Sequence, residues 1–150
     1  MSQVALQQIN LIVRDMTATL AFYRQLGWTI ETPTEEHAVA DLPNGLRVEF
    51  DSLRFAGVWD SGYEGATGGS TMLGLRTETR EQVDDIYADL VEHGNRGRQP
   101  PYDTFWGARF AIVDDPDGSP VGLMSPTEES RRFWPPSTPP QASGCPTGRE

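Results

Sequence analysis

The sequence predicts an α+β fold built from two modules of the same kind, each with the order strand, helix and three strands. Segments in which polar and apolar residues alternate flank two stretches of helical periodicity. The glycines that end the two helices, Gly27 and Gly94, are 67 residues apart, and those of the two hairpin turns, Gly45 and Gly118, are 73 apart. Because one helix covers only one face of a sheet, the modules are expected to pack into a curved eight-stranded mixed sheet around a cleft, with the helices outside.

The first module is assigned to residues 1–52. Alternation over residues 4–14 predicts its first strand. Either Asp15 or Thr17 can cap the helix that follows, because both side chains accept hydrogen bonds from free backbone N–H groups. Gly27 supplies the left-handed residue that ends this helix.

Three further strands are predicted in the same module. Two short ones are indicated by "WTIET" and "HAVADL". The dipeptide Asn44–Gly45 is a strong hairpin signal, and "LRVEFD" follows it. In this last strand Arg47 and Glu49 are expected on the face away from the helix, because strand side chains alternate.

A glycine-rich connection is predicted over residues 53–70. It holds five glycines, at positions 57, 62, 65, 68 and 69, which favour a flexible, irregular segment. Trp59 and Tyr63 lie on it.

The second module is assigned to residues 71–125. Thr79 and Gln82 have the spacing of a capping box, and an apolar stripe continues from there to Gly94. A strand is predicted from "TMLGLRT" before this helix, and three more over residues 98–104, 106–113 and 119–125, the last two joined by an Asp-Pro-Asp-Gly turn.

The C-terminal tail, residues 126–150, is predicted to be disordered because it is rich in proline, serine, threonine and glycine. Fraying is expected beyond about residue 136. Phe133 and Trp134 are the exception, since they can anchor the tail to the body of the protein or to a second subunit.

Composition excludes several classes of partner. The formal net charge of −10 disfavours nucleic acid and anionic membranes, and it tolerates a cationic ligand. The sequence has no apolar run of membrane-spanning length and no signal-peptide pattern. The single cysteine, Cys145, cannot form an internal disulfide, so a cytoplasmic location is expected.

The duplicated pattern, with "FYRQLGW" in the first module and "WGARF" and "DPDG" in the second, resembles the vicinal-oxygen-chelate superfamily. This superfamily includes glyoxalase I, extradiol dioxygenases and bleomycin-resistance proteins. The resemblance covers about residues 4–125. It implies the curved sheet with a cleft, a common tendency to form homodimers, and, in the enzymes, a divalent metal held by four inward positions.

Carried onto this sequence, the four metal positions are Gln8, Glu49, Met72 and Gly122, with Thr71 in place of Met72 if the register shifts by one residue. A thioether suits a hard cation poorly and glycine has no side chain, so the set is expected to hold no metal and the chain to need no cofactor. Gln8 and Glu49 remain weak candidates, as does His37. Gly122 is interpreted as an emptied position that leaves room for a ligand.

The emptied cleft is expected to bind a small organic molecule through aromatic rings and charge. Without a metal, a buried Glu49 needs another partner, for which Arg47 and Gln8 are the candidates. No catalytic residue is assigned. The predicted ligand-binding residues are Gln8, Asn10, Arg47, Glu49, Trp59, Tyr63, Met72, Trp106 and Gly122.

Three functions fit these observations. The first is a metal-free protein, similar to bleomycin-resistance proteins, that sequesters an aromatic or cationic compound for antibiotic resistance or as a carrier. The second is a metal-dependent lyase, isomerase or dioxygenase of the superfamily. The third is a non-catalytic interaction protein that docks through its tail. A homodimer is expected in each case, on the basis of the resemblance.

Overall fold

The computed structural model describes residues 6–68 and 71–142. The chain divides into two compact units. The first unit comprises Met1–Ser70 with Pro116–Gly118, and the second comprises Thr71–Asp115 with Ser119–Glu150. Parts of three predictions therefore lie outside the described residues: the start of the first strand, Gly69, and the end of the tail with Cys145.

The first unit contains a three-stranded mixed sheet and two helices. The central strand pairs in parallel with the first strand and antiparallel with the second, in the spatial order β1-β3-β2. Its elements are β1 (Gln8–Val13), α1 (Met16–Gln25), β2 (His37–Asp41), β3 (Arg47–Ser52) and α2 (Leu53–Trp59).

Helix α1 covers one face of this sheet. Asp15 is its cap and accepts a hydrogen bond from the N–H of Ala18 at 3.0 Å. The side chains of Tyr23 and Phe50 are fully buried, and their ring centroids are 5.2 Å apart. Trp28 stacks on Tyr23 at 4.7 Å, which places it in the core.

The strand predicted from "WTIET" is reduced to one isolated bridge between Ile30 and Ala40. Thr32 has a φ of 47°, which turns the backbone out of the extended conformation. Pro33 follows and has no N–H to donate to a ladder. These two residues prevent a longer strand, so the described residues form seven strands and this bridge where eight strands are predicted.

The prediction of an irregular connection from residue 53 is wrong for its first seven residues, which form α2. Ser52 caps this helix by accepting from the N–H of Phe55 at 3.0 Å and donates to Glu36 at 2.8 Å. The hydrogen bonds from Ser52 and then Arg54 hold the pKa of Glu36 below its usual value. Of the five glycines of this segment, only Gly57 lies within α2, and the other four follow the last residue of the helix in the sequence.

The second unit contains a four-stranded mixed sheet, one long helix and the beginning of the tail. The spatial order of its strands is β4-β7-β6-β5, with β4 parallel to β7 and the other pairs antiparallel. Its elements are β4 (Leu73–Arg76), α3 (Arg80–Glu92), β5 (Gly97–Asp103), β6 (Arg109–Asp114), β7 (Pro120–Met124) and a 3-10 turn (Glu129–Arg131).

Helix α3 begins at the predicted capping box, where Thr79 accepts from the N–H of Gln82 at 3.1 Å. Its buried side chains, Val83 and Leu90, face a sheet surface that includes the buried Val113 and Leu123. The opposite surface of this sheet carries no helix of the second unit in the described residues.

The tail begins with a segment attached to the second unit. The N–H of Glu128 donates to Gly107 at 2.9 Å and that of Phe133 donates to Phe105 at 3.0 Å. The Trp134 ring meets Phe105 edge-on at a centroid distance of 5.5 Å. The predicted anchoring of Trp134 on the body of the protein is therefore confirmed for this contact, while disorder farther along the tail stays a prediction.

The α+β class is confirmed, with helices outside two mixed sheets. None of the helices among the described residues combines the length and the hydropathy that crossing a membrane requires.

Candidate ligand site

The face of the first unit's sheet that α1 leaves uncovered carries polar side chains from all three strands. The register pairs His37 of β2 with Asp51 of β3, and Asn10 of β1 with Glu49 of β3. Because side chains alternate along each strand, these residues share one face with Gln8.

A chain of hydrogen bonds connects them. Gln8 Nε2 donates to Asn10 Oδ1 at 2.9 Å, and Asn10 Nδ2 donates to Asp51 Oδ2 at 2.8 Å. The other carboxylate oxygen of Asp51 lies 2.6 Å from His37 Nδ1. The Asp51 side chain is 1% exposed, so both of its oxygens are satisfied by protein groups rather than by water.

His37 also faces Glu49, whose Oε1 lies 3.4 Å from the imidazole Nε2. The ring therefore lies between two carboxylates, with the Phe55 ring 5.4 Å away. The sequence predicted Arg47 or Gln8 as the partner of Glu49, but its partner in the structure is His37. Arg47 instead pairs with Asp41 at 2.9 Å, and this hydrogen bond raises the pKa of its guanidinium.

The length of the hairpin loop predicts the His37–Asp51 pair, provided that the loop is counted as three residues rather than two. Leu42 and Leu46 close the hairpin through a 2.9 Å hydrogen bond, so the loop has three residues and ends in Gly45 with φ 85°. Counting outward from this loop places His37 opposite Asp51. A two-residue turn at Asn44–Gly45 would shift the register by one and place His37 on the wrong partner.

Around Gly122, the corresponding face of the second unit's sheet is apolar. A Cβ atom placed on Gly122 would lie 3.2 Å from Phe110 Cε2 and 3.3 Å from Met72 Sδ. The space above Gly122 is therefore occupied by a thioether and a ring edge, which corrects the interpretation of Gly122 as leaving room at that point. Met72 itself is 45% exposed.

Trp106 extends this apolar face. It lies in the turn between β5 and β6 rather than at the start of a strand, because the Thr104 carbonyl accepts from the Gly107 N–H at 3.0 Å. Its ring is 5.7 Å from Phe110, and its Nε1 donates to Met124 Sδ at 3.4 Å.

The other two predicted aromatic residues lie in the first unit. Trp59 is the last residue of α2 and is 49% exposed. The Tyr63 hydroxyl donates to the Ala66 carbonyl at 2.7 Å, which fixes the ring to its own loop. Neither residue takes part in the His37 network.

The sequence matches the model of the Glyoxalase/Bleomycin resistance protein/Dioxygenase superfamily over residues 5–123. The chain belongs to this superfamily. Solved structures of the superfamily share its fold. The glyoxalase-related enzyme from Fulvimarina pelagi superposes with a TM-score of 0.73 at 22% identity, covering 81% of this chain and 88% of that one.

Two other solved structures give similar values. A glyoxalase/bleomycin resistance protein/dioxygenase from Nocardioides has a TM-score of 0.69 at 21% identity, over 86% of this chain and 87% of its own. Lactoylglutathione lyase from Agrobacterium tumefaciens has a TM-score of 0.62 at 14% identity, over 82% and 94%. No curated protein matches the sequence. At these identities the likeness concerns the fold alone.

The metal that glyoxalase-superfamily enzymes hold does not fit the residues at the four corresponding positions. In the first unit, Gln8 uses its amide nitrogen on Asn10, and Glu49 faces His37. In the second unit, Met72 offers only a soft thioether and Gly122 offers nothing. Both His37 nitrogens face carboxylates, with Nδ1 2.6 Å from Asp51 and Nε2 3.4 Å from Glu49. Across residues 6–68 and 71–142, no group of three or more His, Cys, Asp or Glu is arranged to bind a metal ion.

Proposed function

We propose that this member of the superfamily is a metal-free protein that binds and sequesters an aromatic small molecule. The observation that carries the proposal is the donor set. At the four positions that the resemblance assigns to a metal, this chain has one carboxylate already facing a histidine, one amide, one thioether and one glycine.

Aromatic compounds fit the exposed groups better than simple cations do. Glu49 and Asp51, the two carboxylates of this network, both face the His37 ring, and Asp51 is buried. The apolar face of the second unit offers Trp106, Phe110 and Met124, which are side chains that stack on or pack against planar rings. Such a protein serves either resistance to a toxic compound or carriage of an intermediate.

A homodimer is part of the proposal and follows from the superfamily resemblance. Light scattering of the full chain is expected to give twice the monomer mass of 16.6 kDa.

The function is tested by calorimetric titration of the full chain with a panel of planar aromatic compounds in the presence of a chelator. One compound is expected to bind at one molecule per chain, with no product detected by mass spectrometry. At a hundred times its dissociation constant it should add about 2.7 kcal/mol to the free energy of unfolding.

Trp106→Leu is expected to weaken this binding about two- to twelvefold, since one ring contact contributes about 0.5–1.5 kcal/mol beyond area burial. Trp134→Leu is the matched control, because Trp134 is 77% exposed and lies outside the face. Binding that requires an added divalent metal, or conversion of the compound, would contradict the proposal.

The contact between His37 and Asp51 favours one second candidate, an enzyme in which His37 transfers a proton. A buried carboxylate 2.6 Å from Nδ1 fixes the orientation of the ring, which is a common feature of general acid–base catalysts. Turnover of a bound compound that is abolished by His37→Gln, with binding retained, would favour this candidate over sequestration.

A further inference from the structure

A floor without side chains lies between β4 and β7, at the β4 edge of the apolar face of the second unit. Gly74 of β4 pairs with Gly122 of β7, so two adjacent strands carry glycine at the same level of the sheet. A Cβ atom placed on Gly74 would meet no atom within 4 Å. The floor is therefore open above Gly74, although Met72 and Phe110 lie over Gly122.

The side chains around this floor are thioethers and aromatic rings. Met72 lies on one side, and Phe110 lies beyond Gly122. Met124 is beside Phe110 in the ladder and accepts from the indole of Trp106. Thioethers and ring edges around a floor without side chains favour a planar aromatic guest, because both kinds of group make close contacts with a π surface.

Arg76 supplies the charge at this face. It is two residues beyond Gly74 on β4 and pairs with Met124, so alternation places it on the same side of the sheet. Ten of the eleven arginines among the described residues donate to a carboxylate, a hydroxyl or a carbonyl oxygen. Arg76 is the one arginine in that part of the chain without such a partner, and it is exposed.

We infer that the guest is a planar aromatic carboxylate, with its ring on the Gly74 floor and its carboxylate paired with Arg76. This inference rests on the proposed function and specifies its ligand. A guanidinium presents parallel N–H donors that match the two oxygens of a carboxylate. The net charge of −10 acts against an anion at long range. At physiological salt, however, the screening length is about 8 Å, so the adjacent Arg76 outweighs distant carboxylates.

The test compares ligands that differ only in charge. 2-Naphthoate and 2-naphthamide are titrated into the full chain at physiological salt and neutral pH. Wild-type protein is expected to bind the carboxylate about tenfold more tightly than the amide, since a hydrogen bond to a charged group stabilises a complex more than a neutral one does, by an amount that corresponds to about this ratio of affinities. Arg76→Gln is expected to reduce this preference to about twofold or less while leaving the affinity for the amide unchanged.

Two further variants complete the test. Arg132→Gln removes an exposed arginine of the same unit that already pairs with Glu129, and it is expected to keep the tenfold preference. Gly74→Leu fills the floor and is expected to abolish binding of both compounds. Because space is open at Gly74, this variant should retain its circular dichroism spectrum. If it does not fold, the Arg76→Gln comparison still decides whether Arg76 pairs with the carboxylate.

The outcomes separate this inference from the proposed function. Equal affinity of the wild type for both compounds, or a preference that survives Arg76→Gln, would overturn the role of Arg76 while leaving an aromatic-binding protein. Binding of neither compound, nor of any other aromatic in the panel, would overturn both.

Discussion

Asp51 is the residue on which the polar network of the first unit depends. It is fully buried, and it provides the acceptors for Asn10 at 2.8 Å and for His37 at 2.6 Å. A buried carboxylate with two such partners is costly to remove, because both hydrogen bonds are lost together. The orientation of the His37 ring, and through it the position of Glu49, follows from this one side chain.

Asp51→Ala is expected to lower the free energy of unfolding by about 2–4 kcal/mol, because Asn10 and His37 would both lose their acceptor. Urea denaturation of the purified variant measures the change. Asp41→Ala is the matched control, since Asp41 pairs with Arg47 in an exposed position, and its cost should stay below about 1 kcal/mol. Equal costs for the two variants would show that the network does not stabilise the fold.

At the residue scale, the sequence predicts the sheet face that a residue occupies better than it predicts the residue that it contacts. Gln8, Asn10 and Glu49 share a face as alternation predicts, but the partner of Glu49 depends on the length of the hairpin loop. Arg76 cannot be distinguished from the other basic residues in the sequence, of which there are twelve in all. Only the folded chain shows which described arginines have partners. Pairing between residues far apart in sequence is set by register and packing, which local patterns do not encode.

Helix α3 approaches strand β5 closely at Gly97. A Cβ atom placed on Gly97 would collide with the Tyr87 hydroxyl and lie 2.8 Å from Cζ of that ring. Burial at this contact raises the pKa of the Tyr87 hydroxyl. Gly97 is therefore required by the approach of the helix, whereas Gly74 in β4 has open space above it.

Gly97→Ala is expected to destabilise the protein by about 1–3 kcal/mol, because the added methyl group must displace the Tyr87 ring from a packed position. Gly74→Ala, the control in the same sheet, should be neutral or stabilising by up to about 1 kcal/mol, since alanine restricts the unfolded chain and meets no neighbour. Thermal and urea unfolding of both variants measure the difference. A destabilisation by Gly74→Ala as large as that of Gly97→Ala would contradict this description of the packing.

At the element scale, strong local signals predicted structure well and weak ones failed. The caps at Asp15 and Thr79 and the turns at Gly45 and Gly118 lie where the patterns place them. Helix α2 was missed because the glycines that follow it dominate the composition of residues 53–70, although Ser52 was available as a cap. The second strand of the first module failed because Thr32 and Pro33 turn the chain away from the sheet.

The whole molecule combines the superfamily fold with Gln8, Glu49, Met72 and Gly122 at the four positions that the resemblance assigns to a metal. Duplication, α+β class and superfamily membership were all predictable, because they depend on a pattern repeated over more than 100 residues. The chemistry was less predictable, because one fold supports many functions and a few side chains decide among them. We propose that in this chain those side chains serve a bound organic guest rather than a coordinated ion, which is the central claim.

Calorimetric titration of the chelator-treated full chain with Ni²⁺, Zn²⁺, Mn²⁺ and Fe²⁺ tests this claim most directly. We predict no one-to-one binding with a dissociation constant below about 10 μM for any of the four ions. A submicromolar one-to-one site that Glu49→Gln removes would contradict the claim and would place this chain among the metal-dependent enzymes of its superfamily.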